Sequence, residues 1–513
     1  MKITKLIISL LLFTSLQGKK MEQLSDYTIL TQEHQIDKEI MELWSQSKIQ
    51  LTDSLPTLKK SPIELYFIAS NSYNILLYAF KKKNHQLTDE LLKIYMRSTY
   101  ALKKTDHYSI FHQNEKNEIS NVKLKEPVYI WTNQENQEEV ISSSQFLFVV
   151  SFAFYQISEI SPNQQTETMK TFIQTFSPIL SSHYRRWILG VQEHNNASHH
   201  KPLGSFDRRG WGCKDDKENY IYARTLHQEI EELMKKPYRG ASYCNVVADP
   251  ILLIVSGLGY YMGAEMNQPK LYTIKEKKRL RSSLQKGITL ISQRFQVKKG
   301  KDFNKKPIKR LSFQEGEWYG HPDYDYSGYM QKKFPQKKDK YPLKEIGLDV
   351  AHGDRVLYFL EMLNATKQHF SFSFPTKKEM KMFSDGFLYN VFSGDDKHPI
   401  FKNYMDGSNG WFRVNYDSRE GYGYAPFSIG SIGAVQGGYP RLAKYNKRIS
   451  TIFIALYHAL HSEKKEDRHF IHTFYEKTVW SQGVQQQEYD FKAKHLDGKS
   501  ALFLMNFYCS LVE

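Results

Sequence analysis

Apolar residues recur at helical spacing along most of the chain, and polar segments separate these apolar stretches. A period near 3.6 residues predicts helices, whereas strands would alternate at every second residue. The predicted helices cover residues 36–49, 61–82, 86–104, 143–160, 165–190, 218–236, 247–266, 274–296, 345–364, 376–392, 446–462, 466–479 and 497–511. Because no strands alternate with these helices, the pattern argues against a parallel α/β sheet.

Three long segments interrupt the helical pattern. Residues 106–141 predict a β-like or irregular insertion, residues 297–344 a basic loop, and residues 400–440 a glycine-rich loop. Connections of this length are usually functional. We therefore expect a mainly α fold: one domain over residues 19–513, an (α/α) toroid or incomplete barrel whose long loops lie over a central cleft. A helical repeat solenoid is the alternative, but the chain shows no fixed repeat period.

Residues 1–18 predict a secretory signal peptide. Lys2 and Lys5 supply a positive start, the apolar run from Leu6 to Phe13 is too short to span a bilayer, and Gly18 is a small residue at the cleavage point. An uncleaved anchor or an amphipathic helix is the alternative. We expect no later segment long and apolar enough to cross a membrane. The predicted protein is secreted or periplasmic, without stable membrane insertion after signal cleavage.

The chain is strongly basic, with a net charge of +16 from 71 basic and 55 acidic residues. A basic field attracts polyanions. Since export disfavours nucleic acid, an anionic polysaccharide is the expected partner, although lysine-rich solvated loops would give the same charge. Aromatic residues make up 14% of the chain, which suits sugar binding but equally an ordinary core.

The cysteines predict no structural metal site, because they show no zinc-ligand spacing. Cys213 and Cys244 are able to form a disulfide in an oxidising compartment, which leaves Cys509 over. Neither a metal nor an organic cofactor is expected.

Two polar clusters follow or begin predicted helices. The first contains Asn195, Asn196 and His199, whose amides and imidazole suit a carboxylate ligand. In the second, His352 and Arg355 are three residues apart and share one helical face, while Asp349 lies where it can orient the imidazole. The alternatives are a chance polar loop for the first cluster and a structural ion pair for the second.

A third cluster alternates aromatic, amide and arginine side chains with glycines. This composition suits a sugar-binding surface, and its alternative is a packed loop. The predicted substrate-binding residues here are Asn409, Trp411, Arg413, Arg419 and Tyr424.

A fourth stretch, residues 318–326, is similar in composition to the third. Its Asp323 and Asp325 are also suited to calcium.

Two of these motifs resemble those of the helical-toroid polysaccharide lyases, above all the alginate lyases. Glu193-His194-Asn195-Asn196 is similar to the asparagine motif that follows an inner helix in that family. The stretch from Asp349 to Arg355 is similar to a later inner-helix motif that bears the arginine. Alginate lyases often have histidine where this chain has Ala197, so His199 and His352 are alternatives for the family's histidine.

The resemblance implies β-elimination next to a uronate. Asn196 and Arg355 would neutralise the uronate carboxylate, and His352 or a tyrosine would remove the C5 proton. The tyrosine candidates are Tyr326, Tyr416 and Tyr422. The predicted function is therefore a secreted polysaccharide lyase.

Three other functions are alternatives to the lyase. A glycoside hydrolase on the same fold would use acids such as Asp249, Asp323 or Asp406. The others are a non-catalytic glycan-binding protein and a secreted effector that acts on a host component.

Overall fold

The computed structural model describes residues 33–111, 119–134, 138–191, 213–214, 225–235, 241–264, 273–415 and 419–512. The fold is mainly α, as the hydrophobic pattern predicts. The helices are α1 (33–53), α2 (Ile63–Lys81), α3 (His85–Arg97), α4 (Val140–Ser158), α5 (Glu167–Leu189), α6 (Leu226–Lys235), α7 (Asp249–Ala264), α8 (Ile274–Gln293), α9 (Val350–Thr366), α10 (Lys377–Gly386), α11 (Ser428–Gln436), α12 (Lys447–His461), α13 (Lys465–Ile471) and α14 (Gly498–Leu511).

The strands of the described residues pair as antiparallel two-stranded hairpins. They are β1 (Lys103–Phe111) with β2 (Ile119–Ile130), β3 (Phe295–Lys301) with β4 (Pro307–Phe313), β5 (Phe392–Gly394) with β6 (Pro399–Phe401), and β7 (Val479–Ser481) with β8 (Val484–Gln486). The first hairpin confirms the β-like insertion expected within residues 106–141. The second replaces the start of the loop predicted at 297–344. The predicted signal peptide lies outside the described residues.

Six helices pack against one another in a cycle. Helix α2 contacts α4, α4 contacts α7, α7 contacts α9, α9 contacts α11, α11 contacts α14, and α14 contacts α2. In α4 and α7 nearly every side chain is buried, as expected for helices that neighbours surround on all sides. Helices α3, α5 and α8 contact members of this cycle without being part of it, and the polar faces of α3 and α8 are exposed. One cluster of buried apolar side chains extends from Ile36 to Val512.

Two of the most buried segments are also long and apolar enough to cross a membrane. They are Val140–Ser158 and Ser242–Ala264, so the expectation that no such segment follows the signal peptide is wrong on length and composition. In the fold, 83% of each apolar window is buried, as in the core helices of many globular proteins.

A disulfide joins Cys213 to Cys244, with a Cα–Cα separation of 5.6 Å. The predicted pairing is therefore confirmed. Cys509 is free and buried in α14.

The glycine-rich segment 400–440 contains α11, which the sequence pattern does not predict. Two glycines of α11 are required by close backbone contacts. A Cβ on Gly430 would lie 2.2 Å from the Lys402 carbonyl oxygen, and one on Gly433 would lie 2.7 Å from the Ala351 Cα. The missing side chains let α11 pack directly against the backbone that follows β6 and against the first turn of α9.

This close contact predicts that Gly433→Ala destabilises the protein, although alanine favours an isolated helix by about 1 kcal/mol. The added methyl would push against the Ala351 backbone, and overpacking of this kind typically costs about 1–3 kcal/mol. Urea unfolding measures the effect. Gly300→Ala is the control, because its Cβ would meet atoms no closer than 3.5 Å. A more stable Gly433→Ala protein would show that the contact relaxes freely.

Candidate active site

The first turn of α9 is organised by one carboxylate. Asp349 is the N-cap residue, and its Oδ1 accepts hydrogen bonds from the His352 backbone N–H at 3.1 Å and from His352 Nδ1 at 2.8 Å. Tyr324 donates to Asp349 Oδ2 at 3.4 Å, and the Asp349 backbone forms a β-bridge with Tyr404. The imidazole orientation is thus fixed on its Nδ1 side.

The Asp349 carboxyl is held in its charged form. Burial opposes its ionisation, but His352 and Arg413 outweigh burial and keep the pKa of Asp349 below its ordinary value. A charged, buried acceptor of this kind makes strong hydrogen bonds.

The second nitrogen of the imidazole faces two charged side chains, Arg413 and Asp249. His352 Nε2 lies 3.4 Å from Arg413 Nη2 and 3.8 Å from Asp249 Oδ2. A guanidinium only donates hydrogen bonds. Nε2 therefore accepts from Arg413, and Nδ1 carries the proton that it donates to Asp349. The side chain is 16% exposed, and a ligand that draws Arg413 away would free this lone pair.

Arg355 lies deeper in the same cluster, with only 3% of its side chain exposed. Its Nη2 donates to the Tyr66 hydroxyl at 2.6 Å, its Nε lies 3.4 Å from Asp249 Oδ2, and its Nη1 lies 3.3 Å from Asp354 Oδ1. Burial acts to lower the pKa of Arg355, but Asp249, Tyr66 and Asp354 raise it well above its ordinary value. Arg355 is therefore charged, and its neighbours already engage it on several sides.

At Asp354, by contrast, the effect of burial on the pKa outweighs the effect of the neighbouring charge. Burial raises its pKa above the ordinary value, although Arg355 lies beside it. The Tyr358 hydroxyl donates to Asp354 Oδ2 at 3.0 Å.

Arg413 is the more exposed of the two arginines, at 27%. Its Nε donates to Asp323 Oδ2 at 2.9 Å, and its backbone N–H donates to the Asp323 carbonyl oxygen at 3.0 Å. Its backbone has a φ of 53°, in the left-handed region that non-glycine residues rarely occupy. The loop thus bends sharply at the residue that faces His352.

These side chains come from the N-terminal turns of three helices in the cycle. Tyr66 lies in the first turn of α2, Asp249 is the first residue of α7, and His352 lies in the first turn of α9. We call Tyr66, Asp249, Asp349, His352, Arg355 and Arg413 the His352 cluster. Because helix N-termini carry partial positive charge, their convergence favours an anionic ligand.

The structure brings together three of the residues predicted from sequence: His352, Arg355 and Arg413. Asn195, Asn196, His199 and Tyr416 lie outside the described residues.

Two of the predicted substrate ligands are buried and engaged inside the loop. Trp411 is 0% exposed and donates from Nε1 to the Gln331 carbonyl oxygen, so it cannot stack on a sugar. Asn409 is also buried, and its Oδ1 accepts from the backbone N–H groups of Asn403 and Phe427. Both residues hold the loop together from inside.

Tyr326, one of the tyrosine candidates, is buried. Within the described residues, no hydrogen bond joins its hydroxyl to the His352 cluster. Tyr422 hydrogen-bonds Tyr424 hydroxyl to hydroxyl at 2.9 Å, and Tyr424 pairs through its backbone with Phe412, next to Arg413.

A cleft of about 940 Å³ lies beside this tyrosine pair. Arg419 is exposed on its wall, with the guanidinium carbon 5.7 Å from the centre of the Tyr422 ring. Lys337 and Asn415 also line the cleft. The predicted ligand Arg419 is thus available to a bound molecule.

The two aspartates suggested for calcium are each paired with a cation instead. Asp323 pairs with Arg413, and Asp325 pairs with Lys340. Among the described residues, no group of three or more His, Cys, Asp or Glu side chains is arranged to hold a metal ion.

Sequence reasoning missed Tyr66 and considered Asp249 only as a hydrolase acid. Asp249 carried a usable signal, because an Asp-Pro pair before an apolar run often begins a helix. Tyr66 carried none, since its partner Arg355 lies 289 positions away.

No protein-family model, curated protein or solved structure matches this chain.

The Asp349 contacts predict that the wild type and an Asp349→Asn variant differ in their free energy of unfolding, and that this difference decreases at acid pH. Asp349→Asn keeps a helix-capping side chain but loses the charge, and should cost about 2 kcal/mol in the free energy of unfolding near neutral pH. The folded-state pKa is lowered, so this contribution is complete above the unfolded value of about 3.9 and disappears as the pH falls through the folded value. Denaturant unfolding of both proteins from pH 7 down to pH 3 measures it. A difference that is constant with pH would contradict the assignment.

Proposed function

We propose that this protein is a secreted lyase that cleaves an acidic, uronate-containing polysaccharide by β-elimination. The observation that carries the proposal is the geometry of His352. Asp349 accepts from its Nδ1–H, the side chain is partly exposed, and its Nε2 lies beside Arg413 at the convergence of three helix N-termini. A base next to positive charge is what removal of a proton beside a carboxylate requires.

We also propose that the helix cycle is the inner ring of an (α/α) toroid. The contacts from α2 through α14 and back to α2 support a closed ring, and α3, α5 and α8 contact its members without being part of it. In this arrangement the N-terminal turns of α2, α7 and α9 lie at one end of the ring, where the loop with Arg413 covers them.

In the proposed reaction, the uronate carboxylate binds against Arg413 and the helix N-termini. Charge neutralisation makes the C5 proton more acidic, and His352 Nε2 takes it. The electron pair of the broken C5–H bond forms the C4–C5 double bond as the C4–O bond breaks. The leaving glycosidic oxygen then takes a proton from a nearby acid.

Tyr66 is the residue best placed to supply that proton. Its oxygen accepts from Arg355 Nη2 at 2.6 Å, so its own O–H proton is directed toward another acceptor. Arg355 is buried and engaged by Asp249 and Asp354 as well. We therefore assign Arg355 to positioning Tyr66 and Asp249, and the carboxylate contact to Arg413.

Two further observations support export and an anionic substrate. The Cys213–Cys244 disulfide is typical of proteins that fold in an oxidising compartment. The net charge of +16 favours a polyanionic substrate.

A glycoside hydrolase is the second candidate, because Asp249 lies in the cluster. Its Oδ2 is 3.8 Å from His352 Nε2, and its side chain is 20% exposed. Asp323 is close by through Arg413. The other acid considered from sequence, Asp406, instead accepts from the Gly347 backbone N–H and the Ser408 hydroxyl.

The products distinguish the two reactions. Purified protein is incubated with alginate, glucuronan, hyaluronan, chondroitin, pectate and a heparin-like polymer, and ultraviolet absorbance and reducing ends are followed together. We expect at least one polymer to give both signals, because elimination leaves an unsaturated uronate. Reducing ends without absorbance would establish the hydrolase, and neither signal would exclude both.

His352→Ala should lower the rate of absorbance gain by about 100-fold or more, since it removes the base. His398→Ala is the matched control, because His398 also pairs with an aspartate, Asp467, at 2.7 Å but does so away from the cluster. Equal activity of the two variants would rule out His352 as the base.

Tyr66→Phe should lower kcat by about 100-fold and also lower the melting temperature, because it removes the hydroxyl that accepts from the buried Arg355 as well as the proposed acid. Tyr326→Phe tests the candidate predicted from sequence and should retain activity. The opposite pattern, with Tyr326→Phe inactive and Tyr66→Phe active, would reject the assignment of the acid.

A further inference from the structure

The β3–β4 hairpin has two faces of different character. Lys298 and Arg310 are paired across the strands and are half-buried against the body of the protein. Lys299 and Lys309 are also directly paired, but on the opposite face, where both are exposed. Lys301 lies on this exposed face two residues further along β3. We call Lys299, Lys301 and Lys309 the basic face.

Carboxylates neutralise the cations only on the half-buried face, which carries Lys298 and Arg310. Glu315 pairs with both Lys298 and Arg310, and Glu345 lies 3.7 Å from Lys298. Within the described part of the chain, no carboxylate lies within ion-pair distance of the lysines of the basic face. The same two strands thus carry one compensated and one uncompensated row of cations.

Like charges directly opposite each other across two strands destabilise a hairpin. Contacts elsewhere in the hairpin offset this unfavourable charge repulsion. Phe303, in the turn, packs on Tyr389 with ring centres 4.9 Å apart, and Arg448 lies over the Phe303 ring at 4.5 Å. The hairpin therefore holds the lysines of the basic face in register although their charges repel.

The base of the hairpin lies close to the helix that bears His352. Leu311 and Phe313 of β4 line a small cavity together with Gly353 and Val356 of α9. The hairpin that bears the basic face therefore lies next to α9, the helix that carries the candidate base His352.

We propose that the basic face binds the anionic polysaccharide outside the cleft, as a second contact for the polymer. This inference rests on the proposed function for the class of ligand. Lysine ammonium groups bind carboxylates as point charges. The exposed apolar positions of this face are Val297 and Pro307, so its exposed part lacks aromatic rings that stack nucleic-acid bases and offers little apolar surface to enter a bilayer.

Lys309→Glu tests the proposal, because it places opposite charges across the register with Lys299. The melting temperature should stay the same or rise, while affinity for polyanions should fall by about tenfold at low salt. A variant that is no less stable but binds more weakly separates a ligand surface from a structural role. The kcat on a short oligosaccharide, which cannot reach the hairpin, should not change.

Lys275→Glu is the matched control. Lys275 is exposed in the first turn of α8, about 27 Å along that helix from the end that leads into the hairpin. Both substitutions change the net charge equally, so only a local effect distinguishes them.

Binding is measured by affinity electrophoresis through gels that contain alginate, hyaluronan or neutral dextran, in the His352→Ala background so that cleavage does not interfere. We expect Lys309→Glu, but not Lys275→Glu, to be retarded less by the anionic polymers, and dextran to retard neither. Equal losses in both variants would overturn the proposal. The proposal would also be overturned if Lys309→Glu weakened binding only to duplex DNA or only to phosphatidylserine vesicles and not to the anionic polysaccharides. Lys309-dependent binding without ultraviolet absorbance on any polymer would support the basic face and reject only the lyase.

Discussion

The hydrogen bonds between Asp349 and His352 determine how the rest of the site is built. One buried carboxylate begins α9, fixes the imidazole, and places the proton on Nδ1. Tyr324 and the β-bridge to Tyr404 hold that carboxylate from the other side. Because Asp349 engages Nδ1, Nε2 is the nitrogen that faces Arg413 and Asp249, and its chemistry depends on these two groups.

The two arginines near Nε2 have aspartate partners before any ligand binds. Arg355 pairs with Asp249 and Asp354, and Arg413 pairs with Asp323. Such buried pairs are weak evidence of added stability, since the cost of removing charges from water offsets much of the attraction. They do hold the guanidinium groups in place. An anionic ligand would therefore exchange partners with an aspartate at the exposed Arg413 and leave the buried Arg355 network intact.

Local patterns predicted the helices and the motif on α9 well, because helical periodicity and N-capping are encoded within a few residues. Helix α11 was missed because its glycines look like a loop, yet Gly430 and Gly433 are there to let backbones approach. The burial of Trp411 and Asn409 could not be predicted, since an aromatic or amide side chain in a loop gives no sign of whether it points inward. Tyr66 could not be found, because only the fold brings α2 to α9.

The left-handed backbone at Arg413 has a consequence for how this protein is able to change over evolutionary time. A non-glycine residue there carries a conformational cost of about 1–2 kcal/mol that glycine would avoid. Glycine at residue 413 would relieve this backbone cost but would also remove the guanidinium that pairs with Asp323 and faces His352. A substitution at this position therefore changes the strain of the loop and the charge beside His352 together, so the two cannot vary independently.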